Sequence, residues 1–412
     1  MAIFQEKVLL KRLLTAIGAA PVRIVLNGEE VGPRNVPPVA TVQIEDLWTL
    51  VGLLADPEVG FGDAYADGRI KVDGDLVRLL EAVYESRSGT TEAVSWYSRL
   101  YSKWLELRQD NGLRGSRDNI HHHYDLGNDF YKLWLDQEML YTCAYFPAPS
   151  ATLEEAQLAK MDHVCRKLRL QPGETVVEAG CGWGALALYM AREYGVSVKA
   201  FNVSREQIEF ARDRAHQEGL AHQVDFIEDD YRNVSGKFDV FVSVGMLEHV
   251  GKQHYKDLGR VIHSSIGDSG RGFLHFIGRD HEDSFSRWIR KRIFPGAYIP
   301  TLSQAMEVLE PWRFAVQDVE NLRFHYAKTL EHWLERYDAS RQQIVSRYDA
   351  CFFRAWRLYL AGSVAAFRKG TLQLFQVLFT GSRCGPISWT RAPLYNESKP
   401  AIERRKWVNV MS

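Results

Sequence analysis

The sequence predicts an α/β fold, a doubly wound sheet with helices on both faces, preceded by a small α+β domain. Three observations predict it. Short apolar segments alternate with helical segments between residues 175 and 278, which is typical of βαβ units. A glycine-rich turn follows the first of these apolar segments. Residues 1–110 form an earlier group of short strands and helices, and a polar, glycine-containing stretch at 108–119 ends it.

Composition limits the possible classes of function. The 412 residues suggest roughly two domains, and 46% apolar residues suffice for a packed core. A formal net charge of −1 argues against a nucleic-acid-binding protein. The five cysteines are scattered and form no C-x-x-C pair, so neither a zinc site nor a disulfide framework is indicated, and a reducing cytoplasm fits best. No apolar run approaches the ~20 residues that span a bilayer.

The small domain is expected within residues 1–110. Residues 1–21 are predicted to form an amphipathic helix that packs on its own domain, with contact to a membrane surface as the alternative. Segments 23–26 and 39–44 lie on either side of Asn27-Gly28 and are predicted to form a hairpin region. Two further helices and one short strand are expected at 47–54, 76–84 and 70–72.

The large domain, residues 111–412, is expected to hold the sheet, with a lid insertion at about 280–340. Thr152 and Glu155 form a capping-box pattern, so a helix is predicted from there to about Leu168. The five predicted strands are 175–178, 196–201, 224–227, 238–244 and 271–278. The other predicted helices are 185–194, 204–218 and, for core or dimer packing, about 341–368.

The turn after the first strand carries Glu178, Gly180, Gly182 and Gly184. Glycines at a strand-to-helix turn let the backbone approach a ligand closely, and the helix N-terminus adds unpaired N–H groups. The G-x-G-x-G spacing with a preceding acidic residue favours S-adenosylmethionine (SAM) over a dinucleotide. Glu178 is expected to pair with the ammonium group of SAM. The alternative is an ordinary tight turn without a ligand.

In a doubly wound sheet the ligand binds at the carboxyl ends of the strands. Asn202, at the end of the second strand, is expected to accept from the ribose hydroxyls, and Asp229 or Asp230 from the adenine amine. For each of them a helix cap or a loop hydrogen bond is the alternative. The residues expected around ribose and adenine are Asn202, Val203, Gln207, Asp229, Asp230 and Tyr231.

Glu248, His275 and Cys143 are predicted to lie at the rim of the same pocket and to form an acid/base or anion-binding cluster. Taken singly, Glu248 also fits a helix cap and His275 a core residue. A nucleophilic Cys143 would need a basic partner, and no oxyanion-stabilising device is visible in the sequence. Residues 121–123 are three histidines, but consecutive side chains diverge, so no metal site is predicted.

Seven stretches together resemble the cyclopropane fatty acid synthase family of SAM-dependent methyltransferases. They are HYDLGND at 123–129, YTCAY at 141–145, EAGCGWG at 178–184, VGMLEHVG at 244–251, LHFIG at 274–278, FPG at 294–296 and FHYAKTL at 324–330. The resemblance covers most of residues 1–400 and implies a class I SAM-methyltransferase, Rossmann-like fold with the small N-terminal domain of the phospholipid-acting members. It adds Tyr141 and Thr142 to the expected cofactor contacts. Where Asn202 stands the family usually has threonine, and asparagine keeps an acceptor there.

The resemblance implies transfer of a methylene group from SAM to the cis double bond of an unsaturated acyl chain in a membrane phospholipid, which forms a cyclopropane ring. In the family a bound bicarbonate ion deprotonates the carbocation. The positions that match its ligands are Cys143, Glu248, His275, Tyr326 and the backbone of Ile277. The rings expected to face the cation are Tyr145, Phe146, Phe276 and Tyr326, and for Tyr145 and Phe146 a place in the hydrophobic core is the alternative.

Three alternatives accompany this interpretation. A SAM-dependent C-methyltransferase would leave a methylene- or methyl-branched acyl chain. A small-amine N-methyltransferase shares the central motifs, but the N-terminal domain and the basic aromatic segment at 284–296 argue against it. A lipid-binding protein that keeps the SAM fold without turnover is the third.

Residues 284–296 combine apolar residues at helical spacing with basic ones and predict a lipid-facing amphipathic helix. A lid helix over the pocket is a compatible alternative. The residues predicted to face the membrane are Phe285, Trp288, Arg290, Lys291 and Arg292. The protein is therefore expected in the cytoplasm, peripheral at the inner face of the cytoplasmic membrane, and the resemblance implies a homodimer.

Overall fold

The structure is a computed structural model that describes residues 2–33, 36–88, 126–282, 286–385 and 388–395. Two sheets organise these residues, a four-stranded sheet near the N-terminus and a seven-stranded sheet in the remainder. The histidines at 121–123, the stretch at 108–119 and Phe285 lie outside the described residues. Within the described ranges, no helix has both the length and the apolar character needed to cross a bilayer.

The N-terminal region is an α+β unit built on its own small sheet, whose strand order is β2-β1-β3-β4. The strands are β1 (Arg23–Leu26), β2 (Glu29–Val31), β3 (Ala40–Ile44) and β4 (Ile70–Gly74). The helices are α1 (Ala2–Ala16), α2 (Leu47–Ala55), α3 (Pro57–Asp67) and α4 (Leu76–Ser88). Each helix after α1 contributes buried apolar side chains to the core against the sheet, as do Leu10 and Leu13 of α1.

The hairpin in this sheet differs from the predicted one. Asn27 and Gly28 both have positive φ, 50° and 81°, as a tight two-residue hairpin turn requires. The chain therefore returns at once, and β1 pairs antiparallel with β2, with Leu26 opposite Glu29. Residues 39–44 supply β3 instead, which pairs parallel with β1. The prediction missed β2 because three residues beginning with two glutamates show no apolar alternation.

The large sheet has the strand order β10-β11-β9-β8-β5-β6-β7. Five neighbouring strands run parallel. β11 pairs antiparallel with β9, and the edge strand β10 pairs antiparallel with β11. The strands are β5 (Thr175–Ala179), β6 (Ser197–Asn202), β7 (Val224–Glu228), β8 (Val240–Val244), β9 (Arg271–Gly278), β10 (Ala315–Asn321) and β11 (Gln373–Thr380). The five parallel strands are the predicted ones, which confirms the doubly wound class.

The helices of this region cover the sheet and its carboxyl edge. They are α5 (Asn128–Tyr131), α6 (Leu153–Leu168), α7 (Ala185–Tyr194), α8 (Arg205–Gln217), α9 (Leu247–Val250), α10 (Tyr255–Ile266), α11 (Arg287–Arg292), α12 (Leu302–Met306), α13 (Arg323–Ala339), α14 (Arg341–Arg347), α15 (Ala350–Lys369) and α16 (Ala392–Tyr395). The predicted capping box at Thr152 and Glu155 is present at the start of α6.

The predicted lid at 280–340 is wrong for part of that range. Strand β10 lies inside it and is the edge strand of the sheet, paired with β11 from Ala315–Thr380 to Asn321–Phe375. The sequence did not predict β10, because its residues are largely polar and mostly exposed and show no apolar alternation. The predicted helix at 341–368 is also two helices, since Asp349 accepts the N–H of Phe352 and starts α15 anew.

Helix α15 joins the two parts of the molecule. It packs against α13 on one side and against α3 and α4 of the N-terminal unit on the other. Arg354 donates to the carbonyl of Ala66 at 2.7 Å, and Arg368 pairs with Glu81 at 3.1 Å. The N-terminal unit is therefore docked on the same helix that borders the site described next.

Candidate active site

An open cavity lies at the carboxyl ends of β5, β6, β7 and β8. Its empty volume, including the space at its mouth, is about 1020 Å³. The predicted cofactor residues that line it are Tyr141, Thr142, Glu178, Gly180, Gly182, Asn202, Val203, Gln207, Asp229, Asp230 and Tyr231. We call it the cofactor cavity, and all the predicted cofactor residues except Gly184 contribute to its wall.

The glycines of this turn have different roles. Gly182 leaves space open in the cavity, whereas Gly184 allows close packing of a helix on the sheet. Gly182 has φ +54°, and a Cβ built on it would meet no described heavy atom within 4 Å, because it would point into open space. Gly184 has φ +84°, and a Cβ there would come within 2.6 Å of the Phe226 ring. Gly184 therefore lets helix α7 approach the sheet and does not line the cavity.

The end of the 123–129 motif lies against this turn. The indole N–H of Trp183 donates to Oδ1 of Asn128 at 2.5 Å. The backbone N–H of Asn128 donates to Glu206 Oε1 at 2.9 Å, at the first turn of α8. These contacts fix the segment beside the glycine turn.

Asn202 ends β6 with its amide nitrogen already engaged. That nitrogen donates to Gln207 Oε1 at 2.6 Å and to the carbonyl of Gly182 at 3.3 Å. Its Oδ1 accepts only a long bond, 3.5 Å, from the Ser204 N–H. The acceptor oxygen is thus the part of this side chain that suits a ligand hydroxyl.

Both aspartates after β7 have the cap contacts that the alternative interpretation foresaw. Asp230 accepts the Arg232 N–H at 2.9 Å and caps a short 3₁₀ helix, Tyr231–Asn233. Asp229 accepts the Asp230 N–H at 2.7 Å and the Asn233 amide at 2.8 Å. Since both also line the cavity, capping and ligand contact are compatible here.

The sequence analysis missed a buried lysine in this cavity. Lys160 is 1% exposed, lines the cavity near Glu178, and donates from Nζ to Thr142 Oγ1 at 3.0 Å. Burial lowers the pKa of Lys160 and raises that of Glu178. Oε2 of Glu178 has no hydrogen-bond partner among the described residues. A signal was present, since Gln157, Lys160 and Lys167 recur at helical spacing on the buried face of α6.

A ligand that carries both an ammonium and a carboxylate suits this pair, because its ammonium group favours the ionised form of Glu178 and its carboxylate the ionised form of Lys160. We expect Lys160→Met to raise the Kd for SAM by about 10-fold or more, because a hydrogen bond to a charged group is worth about 1.5–3 kcal/mol. Isothermal titration calorimetry with SAM measures it.

The matched control is Lys167→Met, two turns along the same helix. Lys167 is also buried, but it pairs with Glu320 at 2.7 Å and does not line the cavity. Its SAM affinity should equal that of the wild type. If the wild type, Lys160→Met and Lys167→Met bound SAM with equal affinity, Lys160 would not contact the cosubstrate.

A second, mainly apolar cavity of about 820 Å³ adjoins the first. The two cavities share four wall residues, Tyr141, Thr142, Gly245 and His249. The predicted catalytic residues all line this second cavity: Cys143, Glu248, His275, Ile277 and Tyr326. We call it the acyl cavity, because the remaining lining is largely aliphatic and aromatic.

Glu248 is held by the strand opposite it. Its Oε1 accepts the Ile277 N–H at 2.6 Å, so the backbone of Ile277 orients this carboxyl group. Its Oε2 is buried without a partner in the described chain. Burial raises the pKa of Glu248 to about 7, although the Ile277 N–H opposes the shift. A substantial share of the protein therefore carries a neutral carboxyl group at this position at pH 7.

His275 and Cys143 are neutral donors beside it. The Gln376 amide nitrogen lies 3.2 Å from His275 Nδ1 and donates to it, which leaves the proton on Nε2. Nε2 is buried without a described partner, and burial lowers the pKa of His275 well below its usual value. Burial raises the pKa of Cys143, so the group is a thiol and not a nucleophilic thiolate. The S–H of Cys143 already donates to the carbonyl of Ala144 at 3.1 Å. The donors left for one small acceptor are therefore His275 Nε2–H and the neutral carboxyl group of Glu248.

The aromatic rings around this cavity differ from the predicted set. Tyr145 is stacked between His163 and His325, at 4.3 and 4.9 Å, and Phe146 stacks on His332. Phe276 points to the opposite face of β9, since neighbouring residues of a strand alternate. In the described structure these three do not line the cavity. The rings that do are Tyr141, Phe294, Tyr326, Tyr359 and Phe367.

The prediction that residues 284–296 face the membrane is partly wrong. Trp288 is only 4% exposed, and its indole N–H donates to Asp63 of α3 at 3.0 Å. Arg292 is exposed but pairs with the same Asp63 at 2.8 Å. Helix α11 thus turns its tryptophan to the N-terminal unit, because Gly62 leaves room for the ring. Lys291 is exposed and Arg290 half-buried.

The chain is similar to known proteins over most of its length. The family model described as mycolic acid cyclopropane synthetase matches residues 112–377, and a model described as a domain of unknown function matches residues 9–94. The chain is 41% identical over 337 residues to cyclopropane-fatty-acyl-phospholipid synthase of Escherichia coli K12, which covers 80% of this chain and 84% of that protein.

Two further comparisons are informative. One relative covers more of the chain, and the other is a solved structure. A probable fatty acid methyltransferase of Pseudomonas putida is 35% identical over 393 residues, 91% of this chain and 96% of that protein. The structure of mycolic acid cyclopropane synthase CmaA1 complexed with SAH and CTAB superposes with a TM-score of 0.61 at 30% identity. It covers 64% of this chain and 97% of that one.

Proposed function

This chain belongs to the mycolic acid cyclopropane synthetase family, and on that premise we propose that it forms cyclopropane rings in unsaturated acyl chains of membrane phospholipids. It is a SAM-dependent methyltransferase of lipid acyl chains with a class I Rossmann-like fold. One observation carries the finer proposal. A cavity at the strand ends that contains the ionisable groups Glu178 and Lys160 shares four wall residues with an apolar cavity that contains a donor cluster.

The residues of the cofactor cavity fit SAM. The unpartnered Glu178 Oε2 suits its ammonium group, Lys160 its carboxylate, and the open space at Gly182 a close backbone approach. When bound, SAM supplies an electrophilic methyl group, which forms the new carbon–carbon bond and then loses one proton as the ring closes. Thr142 and Gly245, in both cavity walls, border the point where the two reactants meet.

The acyl cavity supports the chemistry of a short-lived cation. Its aliphatic lining, such as Ile289 and Leu330, excludes water that would otherwise trap the cation as an alcohol. The rings of Tyr326, Tyr359 and Phe367 offer π faces that attract positive charge.

The donor cluster suits a small oxyanion. Buried polar atoms without partners carry a cost of about 1–3 kcal/mol each, and Glu248 Oε2 and His275 Nε2 are two such atoms in one cavity. A bicarbonate ion there would supply the base for the proton. An adjacent negative charge also raises the pKa of Glu248 further, so the neutral carboxyl group is the form that donates to the ion.

The state of Glu248 predicts a pH dependence. The pKa of Glu248 is about 7 without the ion and higher beside it, so the carboxyl group is neutral below this range and charged above it, and kcat/KM for the lipid should fall as pH rises above about 7. Burial holds the pKa of His249 down at about 4, keeps that of His275 well below its usual value and raises that of Cys143. These three neighbours therefore do not titrate in this window.

The variant Glu248→Gln separates this explanation from others. Glutamine keeps an acceptor for the Ile277 N–H and a donor at the second position, but it does not titrate. We expect it to retain much of the activity at pH 7 and to lose the alkaline fall in kcat/KM. A Glu248→Gln profile identical to that of the wild type would assign the fall to another group.

A second candidate function is C-methylation of the acyl chain without ring closure. The similarity to the probable fatty acid methyltransferase of Pseudomonas putida favours it. The test is incubation with SAM and vesicles of a dioleoyl phospholipid, followed by mass spectrometry and proton NMR of the released fatty acids. A gain of one CH2 with loss of the olefinic protons supports the ring. Retained olefinic or methylene protons support the branched product.

Because the substrate chain lies in a bilayer, the proposal includes peripheral binding to the inner face of the cytoplasmic membrane. The exposed Lys291 next to Arg292 supports it, since anionic headgroups attract basic residues near the surface. The homodimer implied by the family resemblance stays a prediction.

A further inference from the structure

A third cavity, which we call the N-terminal cavity, lies between the small sheet and helices α11 and α15. Its empty volume, including its mouth, is about 1160 Å³. Its wall is almost entirely apolar, with residues such as Val22, Phe61, Leu80 and Val83. None of the residues assigned to catalysis or to the cofactor belongs to it.

This cavity is separated from the acyl cavity by a single layer of side chains. Ile289 of α11 lines both cavities. On α15, Leu358 and Gly362 line the N-terminal cavity, while Tyr359 and Ser363 line the acyl cavity. Residues four apart lie on one face of a helix, so α15 presents one stripe to each cavity.

Helix α11 is fastened to the N-terminal unit at this boundary. Trp288 rests on Gly62, where a Cβ would come within 2.3 Å of the ring. Arg287 pairs with Asp56 at 2.5 Å, and Arg292 pairs with Asp63 at 2.8 Å. Both arginines are thus paired with carboxylates of the N-terminal unit. The exposed Lys291 follows Ile289, which lines both cavities, by two positions, so it is the basic residue of α11 best placed to meet an anionic headgroup.

From this geometry we propose that the N-terminal cavity binds the second acyl chain of a diacyl phospholipid whose unsaturated chain occupies the acyl cavity. The inference rests on the proposed function, because it takes the reacting chain to lie in the acyl cavity. A phospholipid carries two chains on one glycerol, and two adjoining apolar cavities beside a basic helix match that chemistry. The N-terminal unit then selects diacyl over monoacyl lipids.

Gly362 provides a direct test. A Cβ built there would meet no described heavy atom within 4 Å, so leucine fits into the open space. Replacing a helical glycine with leucine also favours the helix. The variant Gly362→Leu therefore fills the cavity without a clash. The matched control is Gly52→Leu, a helical glycine that is exposed, equally open, and not part of the cavity wall.

Turnover is measured with dioleoyl phosphatidylglycerol and with 1-oleoyl lysophosphatidylglycerol, each in the same neutral detergent. In the full-length wild type we expect a higher kcat/KM for the diacyl lipid. Gly362→Leu should lower that value about tenfold and leave the monoacyl value unchanged. Gly52→Leu should match the wild type on both lipids. Equal losses on both lipids, or no loss on either, would overturn the inference.

Photocrosslinking tests the second-chain site separately from the proposed function, because labelling does not require turnover. A phosphatidylglycerol with a diazirine at the end of its saturated chain should label peptides of α3 and α4 in the wild type, and the labelling should disappear in Gly362→Leu. Labelling without any ring or branched product would contradict the proposed function alone. Turnover with labelling restricted to the acyl-cavity wall would contradict the second-chain site alone.

Discussion

Replacing His275 with phenylalanine is expected to lower kcat by about 100- to 1,000-fold, the loss typical when one preorganised donor is removed from a charged site. The ring keeps the volume of the buried position but removes the Nε2–H donor and the partner of Gln376. The Kd for SAM should stay unchanged, because His275 lines the acyl cavity and not the cofactor cavity. Single-turnover rates with a mono-unsaturated phospholipid measure the effect.

The control for this variant is His263→Phe. His263 stacks on Trp312 at 5.3 Å, lies outside both cavities and tolerates an aromatic replacement. It should show wild-type turnover. Turnover of His275→Phe within threefold of the wild type, with SAM affinity and thermal unfolding unchanged, would remove His275 from the mechanism.

Replacing Gly182 with leucine should raise the Kd for SAM by about 100-fold or more, which corresponds to about 2.7 kcal/mol. The new side chain would occupy the open space that the cofactor cavity keeps at φ +54°. Activity at ordinary SAM concentrations should therefore be lost, while the protein remains folded. Calorimetric titration with SAM gives the affinity directly.

Gly173→Leu controls for backbone strain. Gly173 has φ +86°, and a Cβ built on it would also meet no described heavy atom within 4 Å, but this glycine lies in the loop before β5, away from the cavity. Both variants carry a similar conformational cost of about 1–2 kcal/mol. If Gly182→Leu bound SAM as tightly as Gly173→Leu, the glycine turn would not be the cosubstrate site.

The sequence predicted the parallel sheet because its strands are short apolar runs bounded by turns and helices. It did not predict β10 or β11. β10 is polar at the exposed edge of the sheet, and β11, Gln373–Thr380, follows helix α15 almost directly and is buried on both faces. Continuous apolar runs of this length do not distinguish a strand from a buried helix.

Most of the residues predicted for the cofactor and for catalysis line the two cavities, and their roles stay predictions. Those at strand ends followed from the fold, whereas Tyr141, Thr142 and Tyr326 followed from the family resemblance. The polar residues on the buried face of α6 pointed to Lys160 without saying what it contacts, and nothing in the sequence pointed to Gln376, which acts through a residue distant along the chain. Gln376 reaches His275 across 101 positions of the chain. The membrane prediction for Trp288 is wrong because helical spacing marks an apolar face but does not say which surface covers it.

We propose that neutral donors in the acyl cavity hold an oxyanion that removes the proton. The most direct measurement is kcat in CO2-free buffer, with bicarbonate then added back. We predict at least a tenfold loss on depletion, saturable recovery with bicarbonate, and no recovery in His275→Phe. Full ring formation in CO2-free buffer, unchanged by added bicarbonate, would contradict the claim.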